Sequence, residues 1–80
     1  MPVSLENMDK IIGLKQSRRA VKEGRVKAAY VAMDAEERIT EPFLQLCREE
    51  NVPVTEAATM HELGAAAGIE IGAAVVTVLK

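Results

Sequence analysis

Eighty residues with 49% hydrophobic and 28% charged side chains leave room for one domain of ordinary globular balance, which excludes a second domain, a large lid and disorder along the whole length. A single cysteine, Cys47, excludes an internal disulfide, a single histidine, His61, excludes a Cys/His zinc set, and no stretch approaches the roughly 18 uninterrupted apolar residues of a spanning helix, so the expected setting is the cytoplasm, away from any membrane. The net charge of −2 hides a division: Lys10 to Lys27 carries seven cations against Glu23 alone, while all other positions carry three cations against eleven carboxylates.

In chain order, Ser4 is read as the cap of a first helix in which Leu5, Met8, Ile11 and Ile12 recur at helical spacing, with Gly13 as its stop. Lys15 to Glu23 reads as a second short helix, closed by Gly24 in the left-handed position that follows a helix end. On that helix Ala20 and Val21 face inward, and Lys15, Arg18, Arg19 and Lys22 fall at i, i+3, i+4 and i+7 along one stripe. Ala28 to Met33 is a nearly continuous apolar run between Lys27 and Asp34, the pattern of a strand covered on both faces. Thr40 followed by Glu41-Pro42 predicts a helix opening, with Phe43, Leu44, Leu46 and Cys47 as its buried side and Asn51 as its end. Val52 to Glu56 reads as a short strand, with Pro53 at its start or on an edge. Thr59-Met60-His61-Glu62 is a capping box opening a helix to about Ala67. Gly68-Ile69-Glu70-Ile71-Gly72 then breaks the pattern before Ala73 to Leu79, a second central strand. Helices alternating with apolar strands put the chain in the α/β class as a three-layer α/β/α sandwich around a small mixed sheet. Its core is thin, because twelve alanines and many valines and isoleucines supply it and Tyr30 and Phe43 are the only aromatics.

Enzyme chemistry finds little support in these residues. His61 lies inside a capping box, Cys47 sits on an apolar helix side, and Glu36-Glu37 and Glu49-Glu50 are adjacent pairs that point apart on a helix. Gly13 to Ser17 lacks Walker spacing, and Gly64 to Gly68 is not a dinucleotide fingerprint. What the Gly13 segment does offer is a helix start whose free amides and positive dipole end face an anion, flanked by cations. The cationic stripe is either a solvated helix face or the contact for a polyanion. Ile69 and Ile71 are open in the same way: in a strand both would be buried on one face, and on a loop tip they would cover exposed bases of a distorted nucleic acid.

Two segments taken together resemble a known family. Ile12-Gly13-Leu14-Lys15-Gln16-Ser17-Arg18-Arg19-Ala20-Val21-Lys22-Glu23-Gly24 and Leu63-Gly64-Ala65-Ala66-Ala67-Gly68-Ile69-Glu70-Ile71-Gly72-Ala73-Ala74 are similar, in order and separation, to the kink-turn RNA-binding ribosomal proteins of the archaeal large-subunit L-seven-Ae type. The resemblance is nearest to the short bacterial branch of YbxF- and YlxQ-like proteins. It spans essentially the whole chain and implies an α/β/α sandwich, here with a four-stranded sheet. It also implies that Gly13 to Arg19 enters the widened major groove at tandem sheared G·A pairs. Archaeal members usually carry Asn-Glu where this chain has Lys15-Gln16, and the bacterial branch has Lys-Gln. In that role Lys15 donates to guanine O6 and N7, Gln16 accepts from a guanine edge, and Arg19 stands where the family has a lysine that meets phosphates or base edges. Ile69, Glu70 and Ile71 form the loop that covers the extruded nucleotides of the bulge.

The expectation that follows is a non-enzymatic, cofactor-free and metal-free RNA-binding protein, monomeric and cytoplasmic. It would recognise kink-turns in ribosomal or riboswitch RNA, as part of a ribonucleoprotein or beside the ribosome, through Gly13, Lys15, Gln16, Arg18, Arg19, Lys22, Ile69, Glu70 and Ile71. Two alternatives are weighed against it: a protein-interaction or scaffold module on the same fold, and a small-nucleotide binder.

Overall fold

Runs rich in valine and alanine form the centre of the sheet, where both faces must be covered. The computed structural model describes Leu5 and residues 7–80. In it β1 spans Lys10–Ile12, α1 Leu14–Lys22, β2 Val26–Ala32, α2 Glu37–Glu49, β3 Val54–Ala57, α3 Met60–Ala66 and β4 Val75–Leu79. The four strands lie in the order β1-β4-β2-β3, with β2 and β3 parallel and β4 antiparallel to both its neighbours. The two most apolar strands are therefore interior and the two shortest are edges.

Register carries the two-sided burial. Ile12, Val76 and Tyr30 are aligned across the three strands and face α3, whereas Ile11, Thr77 and Ala29, one residue on, face α1 and α2. Leu5, Leu63, Ala67, Val76 and Val78 fill the α3 side. Ala20, Val21, Phe43, Cys47 and Val75 fill the other. Val75 and Val76 are wholly buried on opposite faces, and each such side chain contributes about 1.5–3 kcal/mol of transfer free energy.

Two elements depart from the sequence reading. The first helix is not present over its second half: Lys10–Ile12 is a strand paired with Val76–Val78. Leu5, Met8, Ile11 and Ile12 fit a helical period only because the run is short, and the β-branched Ile11 and Ile12 gain more by covering opposite faces of β4's neighbour position in the sheet. The expected Ser4 cap lies outside the described residues. The third expected helix opens earlier than Thr40-Glu41-Pro42. Glu36 is its extended cap, Thr40 is inside it and returns its hydroxyl to the Glu36 carbonyl, and Pro42 sits in the second turn. The tight first turn, in which the amides of Ile39 and Thr40 both reach the Glu36 carbonyl, starts the helix without a cap hydrogen bond from the Glu36 side chain. At its far end Asn51 takes φ +58, a conformation asparagine tolerates better than most residues.

Candidate nucleic-acid interface

The start of α1 is built by a glycine. β1 ends at Ile12, and Gly13 turns the chain with φ 116 and ψ 150, a region essentially confined to glycine. Its amide donates to the Val75 carbonyl at 2.9 Å, which fastens the turn to the first residue of β4. A glycine cap brings no side-chain oxygen to the first-turn amides, and no acidic residue stands in that turn. Lys15 and Gln16 stand there instead, both exposed. A lysine at the positive end of the helix dipole is unfavourable by a few tenths of a kcal/mol to about 1 kcal/mol, and an anion placed there removes that imbalance.

Burial on one side dictates the other. Ser17, Ala20 and Val21 are packed against the sheet, so Lys15, Arg18, Arg19 and Lys22 all point to solvent. Ser17 is held by a buried polar chain in which the Thr77 hydroxyl donates to Ser17 Oγ at 3.2 Å and Ser17 donates to the Ile11 carbonyl at 3.4 Å. This chain locks α1 to β1 and β4 under the cationic face. Lys15, Arg18 and Lys22 make no ion pair with any described residue. Arg19 does: its Nε lies 3.4 Å from Glu23, whose carboxylate also accepts from Arg25 at 3.2 Å. The hydrogen bond from Arg25, joined by that from Arg19, holds the Glu23 carboxyl below the usual carboxylate range.

The second segment begins on α3. Thr59 Oγ1 accepts from the Glu62 amide at 3.0 Å, and Asp34 accepts from the Met60 amide at 2.7 Å, so two of the three first-turn amides have side-chain acceptors. After Ala67, Gly68 with φ +84 reverses the chain and the loop is laid back over the helix, its Ile69 amide donating to the Gly64 carbonyl at 3.0 Å. Gly64 makes this approach possible, because a Cβ there would lie 2.1 Å from the Ile71 carbonyl oxygen. The Ala73 amide then bonds the Met60 carbonyl at 2.9 Å and closes the loop. The two isoleucines divide: Ile69 packs half-buried on the α3-side core, whereas Ile71 is 74% exposed beside the exposed Glu70. Neither all-buried alternation nor a wholly exposed tip describes them.

Both segments meet at one end of the sheet. Gly13 is bonded to Val75, three residues past Gly72, and the preceding carbonyl, Ala74, accepts from Ala32 at the end of β2. Gly13, Lys15 and Gln16 thus share that end with Ile69, Glu70 and Ile71, while Arg18, Arg19 and Lys22 continue away from it along α1. The Glu23 and Arg25 pairing escaped the sequence reading, although Glu23 stands four residues after Arg19, the spacing of a helical ion pair. Cys47 is fully buried, and its thiol is pushed up to about 11 by that burial. Among the described residues no cluster of His, Cys, Asp and Glu could hold a metal ion, and no helix is long and apolar enough to cross a membrane.

Residues 2–80 match the model of the Ribosomal protein L7Ae/L30e/S12e/Gadd45 family. The chain belongs to this family. Among relatives of the same size, an RNA-binding protein YbxF of Geobacillus stearothermophilus is 44% identical over 70 residues, covering 88% of this chain and 85% of its own. An RNA-binding protein of Geobacillus thermodenitrificans is 43% identical over the same span and coverage. Of solved structures, a Bacillus halodurans protein of unknown function superposes with TM-score 0.82 at 25% identity, over 90% of this chain and 72% of that one. A Giardia lamblia 15.5kD RNA binding protein superposes with TM-score 0.84 at 20% identity, over 90% of this chain and 61% of that one, a likeness of fold. The α/β/α sandwich with a mixed four-stranded sheet expected from the sequence is thus the family's architecture, built on three helices where the sequence reading had four.

Proposed function

We propose that this protein is a non-enzymatic RNA-binding protein that recognises kink-turns and holds the RNA in its bent form. The observation that carries the reading is the convergence at one sheet end of an uncapped, acid-free helix start beside Lys15 and a loop that exposes Ile71. These two features ask for different things. The helix start and the exposed cations Lys15, Arg18 and Lys22, which make no ion pair with a described residue, suit phosphates and guanine edges, whereas Ile71 suits the face of an unstacked base. A bent RNA with an open bulge offers both within a few nucleotides.

In this reading Gly13 lets the backbone approach, Lys15 donates to guanine acceptors and Gln16 accepts from a base edge. Arg18, Arg19 and Lys22 follow the phosphates, and Ile69, Glu70 and Ile71 form the cover, with Ile69 anchored in the core and Ile71 touching the base. Phosphates brought together by a kink repel one another, so cations placed between them favour the bent population over the extended one. The proposed setting is the cytoplasm, with the protein acting as a monomer on ribosomal or riboswitch RNA. The names of the bacterial relatives support the RNA; the spacing and chemistry of the two segments support the kink.

Titration of a kink-turn RNA and of a variant whose tandem G·A pairs are replaced by Watson–Crick pairs tests the reading. The expected result is tight binding to the first alone, with log affinity falling by roughly 0.7 to 0.9 per phosphate neutralised for each decade of salt. Lys15→Ala weakens it by about 1–3 kcal/mol as a base contact would. Equal affinity for the two RNAs overturns the kink-turn assignment.

A further inference from the structure

Beside the cationic face of α1 lies an open groove of about 300 Å³ lined by Ile11, Gln16, Arg19, Glu23 and Arg25. Its two arginines reach it from different directions, Arg19 from the last turn of α1 and Arg25 from the first residue after the turn at Gly24. Glu23 lies between them and accepts from both, at 3.4 and 3.2 Å. Arg25 is not a loose surface arm at its root. Its amide donates to the Ala20 carbonyl at 3.1 Å, and its carbonyl accepts from Lys80 at 2.9 Å, so the main chain is fastened to both α1 and the end of β4. Its side chain and that of Arg19 stay mostly in water, and Glu23 between them is 41% exposed.

We infer that this groove is a second phosphate site, in which Arg19 and Arg25 together grip one phosphodiester of the bound RNA and the Glu23 carboxylate occupies the anion's place until RNA arrives. The inference rests on the RNA-binding reading and extends it beyond the two recognised segments to a residue, Arg25, that neither contains. Three features of the groove support it. The groove shares Gln16 and Arg19 with the face assigned to RNA, so a strand lying on that face continues into it. Two guanidiniums converging on one carboxylate is the arrangement they would make around a phosphate, an anion of greater charge density with more acceptor oxygens. An exposed ion pair is weak, so exchanging the carboxylate for phosphate meets little resistance. Ile11, in the lining, offers an apolar surface suited to a ribose rather than to a second charge.

Salt titrations by fluorescence anisotropy test this with wild type, Arg25→Ala, Arg25→Lys and Glu23→Gln, using a kink-turn RNA and a fully paired RNA of equal length. Removing one phosphate contact lowers the slope of log affinity against log salt by about 0.7 to 0.9, so a rise from 0.1 to 1 M salt weakens the wild type about five- to eightfold more than Arg25→Ala. Arg25→Lys keeps the wild-type slope. Glu23→Gln, which removes the competing carboxylate, binds about two- to fivefold tighter at 0.1 M salt. Thermal unfolding of each variant at the wild-type temperature shows that folding is not what changes. An unchanged slope in Arg25→Ala, or weaker binding by Glu23→Gln, overturns the second site. Wild-type protein that binds both RNAs equally overturns the kink-turn reading but leaves the Arg25 slope to be decided on either RNA.

Discussion

Gly64→Ala sets two well-known tendencies against each other. Gly64 is inside α3, where alanine is the better helix former by about 0.8–1.0 kcal/mol, so helix propensity alone predicts a more stable protein. The structure predicts the reverse. The new Cβ would lie 2.1 Å from the Ile71 carbonyl oxygen, 3.1 Å from its carbonyl carbon and 3.2 Å from Gly72 Cα, all main-chain atoms that cannot swing aside like a side-chain tip. To restore ordinary contact the loop must retreat by roughly 1 Å, which strains the Ile69 amide bond to the Gly64 carbonyl and the Ala73 bond to Met60. Overpacking of this kind costs about 1–3 kcal/mol, and a backbone-on-backbone clash belongs at the upper end. After subtracting the helical gain, the net loss is about 1–2 kcal/mol, which lowers Tm by roughly 4–16 °C in a domain of this size. Circular dichroism melting measures it, and RNA titration of the same variant should show weaker binding because the loop has moved. A variant that melts several degrees above the wild type would refute the claim that the loop is seated on α3 at Gly64.

Other predictions follow from single features of the structure. Gly13→Ala meets no neighbour, yet it should destabilise by about 1–3 kcal/mol in urea unfolding because φ 116 with ψ 150 is hostile to any side chain. Ser17→Ala leaves the buried Thr77 hydroxyl without its acceptor and should cost about 1–3 kcal/mol, while the double change Ser17→Ala with Thr77→Val should recover much of that loss. The Cys47 thiol, raised to about 11 by burial, holds its proton in the folded state where the unfolded thiol would ionise near 9. Stability from this group is therefore fully present below about pH 9 and declines as pH rises through 11, and a thiol reagent at pH 8 should label Cys47 quickly only in urea.

Much of the architecture was legible because local chemistry and global packing agree. Gly24 takes φ +73 after α1, Thr59 caps α3 through the Glu62 amide, and the apolar runs become the two interior strands. β1 was not legible. Three residues are too few for periodicity to separate helix from strand, and what makes Lys10–Ile12 a strand is β4, more than sixty residues away in the chain. The opening of α2 was misplaced because Pro42 suits the first helical position on average, whereas here a tight first turn on Glu36 starts the helix five residues earlier. At the candidate site the exposed cations of α1 and the glycine-bracketed loop could be read directly. The support beneath them could not: Ser17 looked like one more polar residue of a helix, and only the fold reveals that it is buried against Thr77 and ties the cationic face to the sheet.

The central claim is that the α1 start and the Ile71 loop act on one bent RNA. Fluorescence energy transfer between dyes on the two helical arms of a kink-turn RNA, in the absence of divalent ions, measures it directly. Adding wild-type protein should raise the transfer as the arms close, Lys15→Ala or Ile71→Ser should each require more protein, and the pair of changes together should abolish the rise. Binding by the wild type with no change in transfer, or closure that survives both substitutions, would contradict the account.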